Sequence, residues 1–210
     1  MRIGIIGAGS IGATTARLFA QAGHEVVVSN SRGPETLRDL VAELGPNAKA
    51  GTVDEAARFG DVVLLAVPWR SPEALPSPNT VRGKIVIDAM NPYAAGGKLA
   101  DLGDSTSSEA TVRHLPGARI VKAFNTINYQ HLATQGRAEL PEAQRRAIFV
   151  ASDDAEAKAV VSRLIREIGF APVDTGGLRE GGRRQQPNTP VYNVVLTADE
   201  AQQVLAGAKT

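Results

Sequence analysis

Arg2-Ile3-Gly4-Ile5-Ile6-Gly7-Ala8-Gly9-Ser10-Ile11-Gly12-Ala13 decides the fold. Residues 2–6 form an apolar run without alternation, which reads as a strand buried on both faces. Residues 11–22 read as a helix, with Ile11, Thr15, Leu18 and Phe19 roughly on one side and Gly23 at its end. Between strand and helix, Gly7, Gly9 and Gly12 stand in G-x-G-x-x-G spacing. That spacing alone is common, but directly after a strand and at the mouth of a helix it marks a dinucleotide-binding turn. Gly7 permits the tight turn, Gly9 lets a pyrophosphate approach the backbone, and Gly12 lets the helix pack close on the strand. The amides of Ser10 and Ile11 sit at the positive end of the helix dipole and point toward phosphate. The competing reading is a glycine-rich turn that holds nothing.

Outward from this turn, short β-branched runs alternate with helical stretches. Residues 25–28, 48–51, 61–67, 84–89, 119–124, 146–151 and 170–174 read as further strands. Residues 35–44, 53–58 and 105–115 read as helices, as does a stretch from Ser152 or Asp153, either of which can cap it, to about Ile168. Thr52 with Glu55, and Thr106 with Glu109, have capping-box spacing. Residues 191–206 carry a terminal helix whose start is ambiguous. Two stretches read as loops: 71–79, with three prolines, and 176–190, with two Gly-Gly pairs. Strands apolar on both faces and separated by helices predict an α/β protein with a doubly wound, mostly parallel sheet. The expected division is a dinucleotide-binding Rossmann domain over 1–145 and a short α/β extension over 146–210.

Composition narrows the function. The chain has 210 residues, a formal net charge of +1 and no cysteine. The balance of charge disfavours a nucleic-acid partner. Without cysteine no protein thiol can carry redox chemistry or hold an iron–sulfur cluster. His24, His114 and His131 share no metal-ligand spacing. A mean hydropathy of -0.11 and the lack of a long apolar run argue against a membrane span. Together with the absence of a targeting segment, this gives a cytoplasmic expectation.

The second strand chooses the dinucleotide. It ends Val28-Ser29-Asn30-Ser31-Arg32, without the acid that an NAD site places there. Ser29, Asn30 and Ser31 offer neutral hydrogen bonds, and Arg32 offers a planar cation for a 2′-phosphate. The expected cofactor is NADP(H). Ligands in open α/β sheets lie beyond the carboxyl ends of the strands. Those ends read Ala66-Val67-Pro68-Trp69, Met90-Asn91-Pro92 and Phe124-Asn125-Thr126. Ala66, Val67 and Pro68 would let ribose and nicotinamide lie against backbone, and Asn91, Asn125, Thr126 and Asn128 would supply neutral hydrogen bonds near the nicotinamide. Trp69 is either a pocket wall or a core residue. No catalytic acid–base pair emerges. Lys122, inside a strand, snorkels or pairs, and His131 reads as a surface residue.

The turn at Gly7–Gly12, Asn30-Ser31-Arg32, Val67-Pro68-Trp69, Ile120-Val121-Lys122-Ala123-Phe124-Asn125-Thr126 and Phe170-Ala171-Pro172-Val173-Asp174-Thr175-Gly176 together resemble the coenzyme F-420-dependent NADP oxidoreductase family. The same residues resemble the NADPH-binding domain of the six-transmembrane metalloreductases. The resemblance implies that Gly9, Ser10 and Ile11 meet pyrophosphate, Ser31 and Arg32 the 2′-phosphate, Val67 and Pro68 the nicotinamide, and Asn125 and Thr126 both reacting rings. It implies hydride transfer between NADPH and a deazaflavin (coenzyme F-420) or flavin-like acceptor, and a homodimer whose carboxyl-terminal residues help close the site. Two other functions stay open: an NADPH-dependent reductase of a small imine or carbonyl substrate, and a non-catalytic NADP(H) sensor.

Overall fold

A computed structural model of the chain describes residues 1–207. The elements follow in the order β1 Arg2–Ile6, α1 Ser10–Gln21, β2 Glu25–Ser29, α2 Arg38–Leu44, β3 Ala48–Ala50, α3 Val53–Phe59, β4 Val62–Leu65, α4 Pro78–Val81 and β5 Ile85–Asp88. Then come α5 Ser107–His114, β6 Arg119–Ala123, α6 Tyr129–Thr134, β7 Ala147–Ala151, α7 Ala155–Glu167, β8 Ala171–Gly176, α8 Leu178–Arg184 and α9 Ala198–Gly207. All eight strands join one sheet in the order β3-β2-β1-β4-β5-β6-β7-β8. The first six run parallel, and β7 turns antiparallel to β6 with β8 parallel to β7. This is a Rossmann fold, doubly wound, with a short carboxyl-terminal extension that continues the same sheet.

Period-two alternation builds the two layers. Val62 and Leu64 join Ile3, Ile5, Phe19, Val121 and Phe124 on one face. Val63 and Leu65 join Ile6, Ala56, Val86 and Ile120 on the other. A third cluster, around Phe149, Val173, Val191 and Leu205, packs α9 and the last loop onto β7 and β8. Both expected capping boxes form, Thr52 with Glu55 before α3 and Thr106 with Glu109 before α5.

Several elements differ from expectation. The cap of α7 is Asp154, whose carboxylate accepts from the Ala157 amide, and not Ser152 or Asp153. Ser152 instead donates to the Ile120 carbonyl at 2.7 Å, and Asp153 accepts from the Leu178 amide at 2.9 Å. The stretch 176–190 is in part a helix, α8, despite Gly181-Gly182 in its interior. A Cβ at Gly181 would lie 2.8 Å from the Ala151 Cβ, so glycine lets α8 lie directly on the sheet. The proline-rich stretch 71–79 contains a 3-10 turn at Pro72–Ala74 and the start of α4. Helix α6 has no counterpart in the sequence reading. Asn128 starts it by accepting from the Gln130 amide, so this side chain serves the helix. Residues 194–197 stay extended: the Ala147 amide donates to Leu196 at 2.9 Å, and α9 begins behind Thr197.

Candidate functional site

The turn after β1 has the geometry its glycines predict. Gly7 has φ 101°, and a Cβ there would come within 2.8 Å of the Ala66 carbonyl carbon. A Cβ on Gly12 would overlap the Gly7 carbonyl oxygen, so α1 touches the turn backbone to backbone. Gly9 caps α1 and has no atom within 4 Å of where its Cβ would stand. The first contact is what the fold needs, and the open space at Gly9 is what a ligand needs. No side chain caps α1 and no acid lies in its first turn, so the amides of Ser10 and Ile11 are available to an anion. Ile11 itself packs half-buried against the core, leaving only its amide for that purpose.

A groove of about 590 Å³ leads away from the turn. Gly7, Gly9, Asn30, Ser31, Arg32, Ala66, Val67 and Pro68, picked out from separate stretches of sequence, all line it. Ser71, Glu73 and Ala74, from the stretch predicted as a loop, line it as well. The Asn30 carboxamide shapes the lip: Oδ1 accepts from the Arg32 amide at 2.9 Å and Nδ2 donates to Thr36 at 2.8 Å. Ser29 is committed elsewhere, donating to the Ile5 carbonyl at 3.1 Å. Arg32 is exposed and has no carboxylate within ion-pair distance among the described residues. On the other side of the turn, Gly9 and Ser10 share a second groove of about 630 Å³ with Tyr129, Gln130, Ala133 and Thr134 of α6. The two grooves meet at Gly9, as an elongated ligand lying across the amides of α1 requires. The residues therefore fit a dinucleotide. Trp69 lies outside both grooves; it packs into the second core cluster and lines a separate cavity of about 150 Å³ with Met90 and His114.

The ends of β5 and β6 carry a hydrogen-bonded cluster that the sequence does not announce. Phe124, just past β6, takes the left-handed conformation with φ 66° while fully buried, which turns Asn125 out of strand geometry. Asn125 Nδ2 donates to Asn91 Oδ1 at 3.1 Å and to the Gln185 carbonyl at 2.7 Å. Asn91 Nδ2 donates to the Asn125 carbonyl at 2.9 Å and to the Tyr192 hydroxyl at 3.3 Å. The hydroxyls of Tyr192 and Tyr93 lie 3.2 Å apart. Thr126 is buried, and its carbonyl accepts from the Asn193 amide at 2.8 Å. Residues 185–193 of the extension thus lie over the ends of β5 and β6. Asn125 Oδ1 is buried and has no hydrogen-bond partner. Burial, with help from the Tyr93 hydrogen bond, pushes the Tyr192 phenol well above its ordinary value.

Two phenol protons serve this pair. One lies between the two oxygens, and the other is free to point outward. Tyr192 also accepts from Asn91. The missed signal was long-range: Tyr93 follows β5 and Tyr192 precedes α9.

The fold and these grooves define an NADP-dependent oxidoreductase acting on a small molecule. The sequence model of the family described as "NADP oxidoreductase coenzyme F420-dependent" matches residues 2–92, the amino-terminal part of the chain that carries the glycine turn and Arg32. It is similar to a hypothetical protein, SMa0349, from Sinorhizobium meliloti, at 35% identity and a TM-score of 0.81 over 94% of this chain and 95% of that one. It is also similar to a candidate F420-dependent NADP-reductase from Arthrobacter sp. FB24, at 25% identity and a TM-score of 0.73 over 99% and 91% of the two chains. Metalloreductase STEAP3 of Rattus norvegicus is 30% identical over 84% of this chain and 34% of its own length. The chain spans about a third of the curated relatives it matches. An imine reductase from Myxococcus stipitatus shares the fold at 18% identity and a TM-score of 0.59, over 99% of this chain and 61% of its own. No helix among the described residues is long and apolar enough to cross a membrane.

Proposed function

We propose that this protein reduces a small imine or carbonyl compound with NADPH, Tyr192 delivering the proton. The observation that carries this reading is the Tyr93–Tyr192 phenol pair at the strand ends. When bound, NADPH supplies the hydride. The chain's residues do the rest. The amides of Ser10 and Ile11 hold the pyrophosphate, with Gly9 giving it room. Arg32 and Ser31 hold the 2′-phosphate. Ala66, Val67 and Pro68 form the wall along the cofactor, and Asn125, with its unpartnered Oδ1, accepts from the nicotinamide carboxamide beside Asn91 and Thr126.

Adding hydride to a C=N or C=O carbon leaves an electron pair on nitrogen or oxygen that must take a proton. An alkoxide or amide anion is far more basic than a phenolate, so a phenol with a raised pKa still transfers its proton downhill. Tyr192 is then reprotonated through Tyr93. The raised pKa also keeps Tyr192 protonated, ready to donate, at neutral pH.

Transfer to a deazaflavin (coenzyme F-420) or a flavin is the second reading, favoured by the family match. Flat-ring exchange needs stacking and proximity more than a proton donor. The match ends at residue 92, before Asn125 and Tyr192, so it covers the cofactor half of the site and not its acceptor half. Parallel assays of NADPH oxidation with a cyclic imine, a small ketone, a deazaflavin and free flavin decide between the two. Turnover of imine or ketone is expected; turnover with the deazaflavin alone sinks the first reading. The proposal includes a homodimer, supported by the exposed large side chains of Tyr129, Val194 and Val195. Sedimentation tests it, a monomer at micromolar concentration being the contrary result.

A further inference from the structure

Beneath the phenol cluster lies a pair of buried charges that the reaction does not touch. Asp88 ends β5, and its register partner on β6 is Lys122. Both side chains are shut off from solvent, with Nζ 3.4 Å from Oδ2. Asp88 Oδ1 accepts from the Met90 amide at 2.9 Å, and Oδ2 accepts from Ser108 at 2.7 Å and Thr111 at 3.2 Å. Lys122 donates to the Met90 carbonyl and, at 3.3 Å, to Ser107. The two charges therefore grip both main-chain polar groups of one residue, Met90. The next residue is Asn91, which donates to Tyr192.

A buried ion pair contributes little net stability compared with apolar side chains of the same size, because desolvation offsets most of the attraction. Its advantage is direction: Asp88 holds the peptide before Met90 by its amide and Lys122 holds the Met90–Asn91 peptide by its carbonyl, so the second peptide is fixed directly by Lys122 and through Met90 by Asp88. We propose that Asp88 and Lys122 are positioning residues that set this peptide, and through Asn91 aim the Tyr192 hydroxyl at the acceptor. The proposal rests on Tyr192 being the proton donor. It makes Lys122 a support for proton delivery and assigns it no contact with cofactor or acceptor, since its ammonium is spent on Asp88, Met90 and Ser107.

The test is a double-mutant cycle between Lys122→Met and Tyr192→Phe, read on kcat with a cyclic imine, on the solvent deuterium isotope effect and on NADPH affinity. Lys122→Met is expected to lower kcat about tenfold and raise the solvent isotope effect, as a misaimed proton transfer becomes slow. NADPH affinity, set at the glycine turn, is expected to stay within about threefold. The double variant is expected to be no slower than Tyr192→Phe alone, because a positioning residue has nothing left to position. Fully additive losses, or a lower kcat with an unchanged isotope effect, overturn the proposal while leaving Tyr192 as donor. A Tyr192→Phe enzyme as fast as the parent overturns the donor reading and the positioning role with it. If Lys122→Met does not fold, Asp88→Asn, which keeps the size and one acceptor, runs the same cycle under the same criteria.

Discussion

The hydroxyls of Tyr93 and Tyr192 lie 3.2 Å apart across ninety-nine positions of chain, joined at the ends of β5 and β6. Asn91 donates to the second of them at 3.3 Å. Tyr192→Phe removes the proton that the product needs and leaves the ring in place. The expected outcome is a loss of about a hundredfold in kcat for imine or ketone reduction, with NADPH affinity unchanged. The pH dependence follows from the raised phenol. Tyr192 stays protonated past the ordinary phenol value of about 10, so its own titration imposes no alkaline fall in kcat between neutral pH and about 9. A pH–rate profile that drops in that range for the parent enzyme and is flat for Tyr93→Phe would move the donor role to Tyr93.

Arg32 stands at the lip of the groove with no carboxylate partner among the described residues. Its guanidinium is free for a dianionic phosphate, and the Asn30 carboxamide holds the backbone beneath it. Hydrogen bonds to charged groups contribute about 1.5 to 3 kcal/mol, so Arg32→Gln is expected to weaken NADPH binding by roughly ten- to a hundredfold. NADH, which lacks the 2′-phosphate, is expected to bind the variant as it binds the parent. Titration of both nucleotides by calorimetry checks this, and equal weakening of the two would remove Arg32 from the phosphate site.

Asp154 ties two elements together. Its carboxylate accepts from Arg119 Nε and Nη2, at 2.6 and 2.8 Å, and also from the Ala157 amide at the start of α7. The Arg119 hydrogen bond leads in holding its pKa down at about 2, from 3.8. A carboxylate whose folded pKa lies below its unfolded one stabilises the fold fully above the unfolded value, and that contribution disappears as pH falls toward the folded one. Asp154→Ala is expected to cost about 1 to 2 kcal/mol at neutral pH, mostly the lost cap, since the ion pair is partly exposed. The cost is expected to shrink between about pH 4 and pH 2, measured as the urea midpoint of both proteins across that range.

What the sequence reveals of this molecule follows the range of the interactions. The turn from β1 to α1 is legible because its causes lie within a dozen residues: an apolar strand, three glycines and a helix start. The capping boxes at Thr52 and Thr106 are local in the same way. Helix α8 is not legible, because Gly181 and Gly182 are poor helix formers and the reason for Gly181 is its contact with Ala151 on β7. The cap of α7 is not legible either, because Ser152, Asp153 and Asp154 are all competent caps, and only the contacts of Ser152 with Ile120 and Asp153 with Leu178 separate them. The cofactor groove was legible from strand ends, since parallel sheets bind there. The phenol pair was not, since neither tyrosine carries a local signature and their meeting depends on how 185–193 passes over β5 and β6.

Gly9 and Gly12 belong to one motif and are expected to fail differently. A Cβ at Gly12 meets the Gly7 carbonyl oxygen, so alanine there forces α1 away from β1 whether or not a ligand is present. A Cβ at Gly9 meets no atom within 4 Å, so alanine there disturbs nothing in the free protein. The space it fills is the space a pyrophosphate would use. Gly12→Ala is expected to lower the melting temperature by several degrees, as overpacking costs about 1 to 3 kcal/mol. Gly9→Ala is expected to melt with the parent but to bind NADPH at least about tenfold more weakly. Thermal melts run with and without NADPH separate the two, because the nucleotide should raise the melting temperature of the parent far more than that of Gly9→Ala. A Gly9→Ala protein that gains as much as the parent from added NADPH would place the pyrophosphate away from this turn.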